Sequence, residues 1–341
     1  MLIIQTIIIL CILIFVHELG HFVAAKLSNV RVNEFALGMG PAFFKKKRGE
    51  TQYSLRVLPI GGFCAMEGED GGSDDSRSFE KKPAHIRAII LVAGSFMNVV
   101  LAILIMSGMF FFGAAPTTEI REVGVGSPAQ AAGMLPGDRI ISIDGVEIRE
   151  WQDIVSEITN TEKDSVAIGV VRDGRELTLQ TNIITGEDGR RVIGISPDST
   201  LSLTNPFIAL AMGAEASYHM LTNMIEIVGQ LFTGGVPASD LVGPIGIAYI
   251  VEDTARMGMR PLLFLVALIS LNLAIVNLLP FPALDGGRLL FLGIRKITGR
   301  AISDTMEGRI HLIGMILLLA LMLYVTWNDI GRFIIGTFTF E

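Results

Sequence analysis

Residues 2–22 read LIIQTIIILCILIFVHELGHF, and this one stretch decides both the fold class and the chemistry. At about 1.5 Å per residue it makes a helix roughly 30 Å long, enough to cross the hydrocarbon core of a bilayer. Its last turns carry His17-Glu18-Leu19-Gly20-His21. Histidines four residues apart lie one above the other on one helix face, so their imidazoles can share a metal ion, and a glutamate beside them is placed to take a proton from water. Each ionisable group at the centre of a membrane helix costs about 2.5–3.5 kcal/mol on insertion, a cost that metal binding offsets. The plainer reading, polar residues capping the wet end of a membrane helix, leaves unexplained why two of the five histidines fall within five residues.

The rest of the composition agrees with a membrane setting. Half of the 341 residues are hydrophobic and 18% are charged, below the roughly 25% usual in soluble domains. The formal charge of −7, with no long basic stripe or aromatic-basic interleaving, argues against nucleic acid as a partner. Cys11 and Cys64 fall in an apolar run and a polar segment, so no disulfide framework is expected. The first apolar run lacks a basic leader and a small-residue cleavage site, so it reads as a retained helix.

Four runs read as spans: 2–22, 88–112, 262–279 and 311–327. Lys26, Arg31, Lys45, Lys46, Lys47, Arg48, Arg56, Lys81, Lys82 and Arg87 crowd the loop after the first span. Arg288, Arg295, Lys296, Arg300 and Arg309 crowd the link before the last. The positive-inside rule makes both segments cytoplasmic and both termini extracytoplasmic, with the histidines towards the cytoplasmic face. Residues 206–232 are apolar but hold Glu215, His219, Asn223 and Glu226, and a fifth crossing would put the Arg-rich link outside. An amphipathic or shallowly inserted outer helix is expected there.

A catalytic zinc usually takes three protein ligands and leaves a fourth position for water, so the histidines want a partner. Asp285 is the best candidate, standing in Asn277-Leu278-Leu279-Pro280-Phe281-Pro282-Ala283-Leu284-Asp285-Gly286-Gly287 at the same depth as the histidines. A carboxylate flanking the turn before Gly286 is the alternative.

An HExxH in the first membrane helix with NxxPxPxLDG in a late one resembles the site-2 protease family of intramembrane zinc metalloproteases, in its bacterial RseP-like branch with an inserted PDZ domain. The resemblance covers nearly the whole chain. It implies one catalytic Zn2+ held by His17, His21 and Asp285, with Glu18 as the catalytic glutamate. It implies a multi-pass protein of the bacterial cytoplasmic membrane whose substrates are single-pass membrane proteins, such as anti-sigma factors, or remnant signal peptides. Residues 38–62 read as short strands around a basic turn at 45–49, and the resemblance makes them a membrane-associated β-element beside the active site that can pair with extended substrate. Asn98 in the second span, Asn277, Pro280 and Pro282 become candidates for substrate or oxyanion contact. Helix-to-helix hydrogen bonding is an equal reading of an intramembrane asparagine.

Between 116 and 200 the composition turns polar, and residues 125–145, VGSPAQAAGMLPGDRIISIDG, resemble a bacterial PDZ domain. A helix ended by Gly133, a turn and a strand up to Asp144-Gly145 are expected. The expected fold is therefore a polytopic α-helical membrane protein of about four transmembrane helices, with a small membrane-associated β-element and an inserted extracytoplasmic PDZ-like α/β domain. The expected division is a catalytic core at 1–115, the PDZ-like domain at 116–200 and a C-terminal membrane region at 201–341. Two rivals carry similar residues: an ion-coupled transporter, which predicts repeat symmetry that the halves lack, and a PDZ-bearing membrane adapter with a structural zinc, which zinc-dependent cleavage would exclude.

Overall fold

The computed structural model describes residues 2–69, 72–185, 190–234, 242–298 and 304–335. Arg300 and both chain termini, whose side of the membrane was expected above, lie outside the described residues. Among the described residues four helices are long and apolar enough to cross a membrane: Ile4–Leu27, Ala84–Phe111, Met259–Leu278 and Met306–Gly331. The chain divides into two compact units, Met1–Phe110 with Pro206–Glu341, and Phe111–Asn205.

In the first unit, α1 (Leu2–Leu27) is rich in isoleucine yet helical, because a helix satisfies its own backbone in lipid. Ile4, Ile8 and Ile12 form an exposed stripe while Leu13, His17 and His21 turn inward. It meets α2 (Ala84–Phe111) through small residues: a Cβ on Gly20 would strike the Ala93 carbonyl. Between them β1 (Val32–Arg48) and β2 (Thr51–Met66) form a curled antiparallel hairpin. Residues 34–37 pair with both 52–55 and 62–65, whereas 42–48 pair only with 51–56. The sheet thus ends in two edges, 62–66 and 42–48. Gly38 and Gly40, at φ +88° and +82°, allow the bend in β1 that folds it back.

Among the described residues, five helices follow the second unit. α5 (Pro206–Thr233) packs Gly213, Ala216, Met220 and Met224 towards Ser107 and the cluster of Ala102, Met106, Ala267 and Leu271. It therefore runs alongside α2 and α7 (Met259–Leu278) within the apolar part of those spans. α6 (Pro244–Met257) had no counterpart in the sequence reading. Its N-terminus is capped from a distance: Asp329, fully buried on α9 (Asp304–Ile335), accepts hydrogen bonds from the Gly243 and Gly246 N–H groups at 3.2 and 2.9 Å. α8 (Asp285–Thr298) begins at the expected third ligand.

The second unit is a β-module. β3 (Phe112–Val123), β4 (Arg139–Ile143), β6 (Ser165–Arg172), β7 (Arg175–Asn182) and β10 (Ile195–Leu203) form a sheet in the order β10-β3-β4-β6-β7, all neighbours antiparallel. β5 (Val146–Glu147) extends β4, and β8 (Ile184–Thr185) pairs with β9 (Arg191–Val192). Asp144-Gly145 and Asp173-Gly174 have positive φ at both positions, the conformation that two-residue hairpin loops demand. α4 (Trp151–Asn160) lays Ile154 and Ile158 on a core with Ile140, Ile143, Ile168 and Val170. α3 (Pro128–Ala131) is a single turn started by the Ser127 cap, and Gly133 follows it at φ +80°. β3 and β10 stay paired as far as Phe112 and Leu203, so both strands belong whole to this compact unit.

Candidate metal and active site

Two helices, α1 and α8, bring His17, His21 and Asp285 together. The His17 Nε2, His21 Nε2 and Asp285 Oδ2 atoms form a triangle with sides of 3.1, 3.2 and 3.2 Å. Ligands bound tetrahedrally at about 2.05 Å stand about 3.3 Å apart, so the triangle fits a zinc ion. Both histidines are buried. Among the described residues this is the one group of such side chains close enough to hold a metal.

The surroundings position each of the three side chains. His21 Nδ1 lies 2.9 Å from the Ile90 carbonyl, which can only accept, so Nδ1 carries the proton and the Nε2 lone pair faces the site. Gly94 makes room: a Cβ there would lie 2.8 Å from His17 Nε2 and closer still to His21. Asp285 is placed by a broken helix. Pro280 disfavours helical geometry at Leu279, which caps α7 in an extended conformation, and Ala283 takes a left-handed φ of +78°. That strained residue is tied to α9 by a 2.8 Å hydrogen bond from its N–H to His311 Nδ1. Gly286 and Gly287 then pass so close to the carbonyls of Leu278, Leu279 and Phe281 that any side chain would collide. Sequence reasoning missed Gly94 and His311; the spacing of Gly94 one turn before Asn98 was the available signal for the first.

The triangle sits in the wall of a cavity of about 530 Å³ that is also lined by Glu18, Asn277, Arg288 and residues 61–66 of β2. Arg288 is ion-paired with Glu69. The two asparagines occupy opposite ends of the His17 ring. Asn277 Nδ2 lies 3.4 Å from Nε2, on the cavity side. Asn98 is fully buried, 3.3 Å from Nδ1, and its backbone carbonyl accepts from Ser270 Oγ at 2.8 Å. Asn98, Pro280 and Pro282 are not among the residues lining the cavity, and Pro282 instead abuts Gly314 of α9.

Residues 5–321 match the profile described as peptidase family M50. The chain belongs to peptidase family M50. Among its relatives, a Clostridium perfringens protein, whose name places it provisionally among zinc metalloproteases, is 36% identical over 93% of this chain and 95% of its own length. The zinc metalloprotease RasP of Shouchella clausii is 30% identical over 95% of this chain and 97% of its own. The regulator of sigma-W protease RasP of Bacillus subtilis is 30% identical over 97% and 98%. Of solved structures, the PDZ domain of a Listeria monocytogenes SdrC-like protein matches 26% of this chain and 88% of its own, at 21% identity and a TM-score of 0.22. This M50 peptidase is a zinc metalloprotease with membrane-spanning helices, an intramembrane protease by family.

Proposed function

We propose that this M50 protease cleaves peptide bonds within the transmembrane segments of single-pass membrane proteins or remnant signal peptides. It uses one zinc ion held by His17, His21 and Asp285. The observation that carries the reading is the convergence of the three ligand atoms on a cavity whose facing wall is a strand edge. Zinc supplies Lewis acidity and brings the pKa of water to near 7. Glu18, lining the same cavity, accepts the proton of the attacking water and returns it to the leaving amine. Asn277, on the cavity side of His17, donates a hydrogen bond to the oxyanion. Residues 62–66 pair with β1 on one side only, so an extended substrate segment adds to their other edge. The substrate unwinds locally to do so, because helical carbonyls are already hydrogen-bonded.

His17 must present an unprotonated Nε2 to a metal, so its Nδ1 carries a proton and needs an acceptor. Asn98 supplies one if its amide is turned so that Oδ1, otherwise buried without a partner, faces the ring. Asn98 is then a positioning residue. Pro280 and Pro282 break the helix to deliver Asp285.

The basic residues around the β-element and on α8 support a cytoplasmic-membrane orientation with the site towards the cytoplasm. The division into a core at 1–115, a PDZ-like domain at 116–200 and a membrane region at 201–341 goes with it. The name of the Bacillus subtilis relative favours an anti-sigma factor as the substrate type. Co-expression with a panel of trimmed anti-sigma factors and remnant signal peptides, read by product mass, tests the reading. Products ending inside the membrane segment are expected; products ending only in soluble loops would overturn it.

A further inference from the structure

The β-element has a second edge that the protease reading does not use. Residues 42–48 pair only with 51–56, and their far side has no strand partner among the described residues. Phe43 and Phe44 at its start are 69% and 51% exposed, and Met39, Val57 and Leu58 nearby are each more than half exposed. Large apolar side chains exposed this close together along one hairpin mark an interaction or membrane surface. Directly after the two aromatics come Lys45, Lys46, Lys47 and Arg48, all exposed.

Among the described residues no acidic side chain neutralises these four cations. Their cross-strand neighbours are Ser54, Tyr53, Gln52 and Thr51, none of them acidic, and no ion pair involves them among the described residues. The acidic residues of the same sheet are engaged elsewhere. Glu34 binds Ser54 and Arg56, and Glu50 binds Lys26 and Arg77. That last contact also fixes depth. Lys26 stands in the final turn of the span α1, so the hairpin turn at Gly49-Glu50 is tied to the level where the apolar span ends. The edge strand therefore runs from aromatics into four cations as it approaches the membrane boundary, the order in which a leaflet presents acyl chains and then phosphates.

We propose that the 42–48 edge is a docking surface for anionic lipid headgroups, with Phe43 and Phe44 among the acyl chains and Lys45, Lys46, Lys47 and Arg48 against the phosphates. Because 62–66, at the other edge of the same small sheet, lines the cavity, headgroup binding holds the substrate-pairing strand at its working depth. Anionic lipid thereby raises the rate of cleavage without touching the catalytic groups. Only this last consequence rests on the protease reading; headgroup binding does not.

The test uses full-length protein reconstituted in phosphatidylcholine alone or with phosphatidylglycerol. Wild type is compared with the combined Lys45→Gln, Lys46→Gln, Lys47→Gln, Arg48→Gln variant. Two quantities are read: cleavage of a transmembrane peptide, and phosphatidylglycerol retained on the protein by native mass spectrometry. Wild type should cleave several-fold faster when phosphatidylglycerol is present, with the gain shrinking as salt rises. The variant should equal wild type in phosphatidylcholine, lose the gain and retain less phosphatidylglycerol. A variant that keeps the wild-type gain and retention overturns the proposal, as does one that is already slower in phosphatidylcholine, since its cations would then serve substrate or folding. Loss of retention with no cleavage by either protein in either lipid would sustain the headgroup site and count against the protease reading.

Discussion

At the scale of single residues, the two nitrogens of His17 divide the work between two asparagines. Asn98 stands behind the ring at Nδ1 and Asn277 in front at Nε2. Their substitutions should therefore fail differently. If Asn98 holds His17 in its metal-binding tautomer, as proposed, zinc affinity in Asn98→Ala should fall about 10–100-fold, with cleavage restored by excess zinc. Asn277→Ala should leave zinc affinity unchanged and lower kcat by about 10²–10³, the loss usual for one oxyanion donor. Zinc-buffered titrations of both variants, each followed by kcat and KM, separate the two; matching losses of zinc affinity would contradict the assignment. The sequence presents these residues as equals, both asparagines in apolar helices, because it does not reveal which ring nitrogen each faces. The meeting of His17 and His21 was legible because helical spacing alone puts the histidines on one face. Asp285 was legible because charge asymmetry gave it the same depth.

At the scale of elements, the four spans were readable because long, predominantly apolar runs of the length that crosses a bilayer leave no alternative to a helix in lipid. α6 and α8 were not, since each has 14 residues of mixed polarity and takes its place from contacts distant in sequence, such as Asp329 capping α6. The β-module shows the same division. Its Asp-Gly turns announce the hairpins, whereas the ion pair of buried Asp138 with partly exposed Arg172 joins residues 34 apart. Burial pushes the Asp138 carboxyl up, but bidentate hydrogen bonds from Arg172 at 2.6 and 2.7 Å and one from the Leu135 N–H at 2.9 Å outweigh it and hold the carboxyl below its usual range. A depressed folded-state pKa gives stability that is complete above the unfolded value near 3.9 and is lost as pH falls through the folded one. Trp151 packs on the core of the module, so its fluorescence in a Trp327→Phe background reports unfolding. The module should lose stability below about pH 4, and Asp138→Asn should lower stability at neutral pH while flattening that acid limb. An unchanged acid limb in Asp138→Asn would assign it to other carboxylates. Arg172→Leu should cost about 1–3 kcal/mol, since it leaves the buried Asp138 carboxylate with only the Leu135 N–H as a donor.

At the scale of the whole molecule, one compact unit gathers the first helix, the second and the helices after the β-module, so that His17 and Asp285 meet across 268 positions of sequence. Membership of peptidase family M50 and the geometry of the cavity point to the same chemistry. The claim on which everything else rests is that zinc is held by His17, His21 and Asp285 while Glu18 moves the proton. It is tested most directly by measuring, on one preparation of purified protein, both zinc content and cleavage of a transmembrane peptide for wild type, Glu18→Gln and Asp285→Ala. Glu18→Gln should keep about one zinc per chain and cleave nothing detectable, and Asp285→Ala should lose zinc and activity together. Undiminished cleavage by Glu18→Gln, or full zinc occupancy in Asp285→Ala, would contradict it.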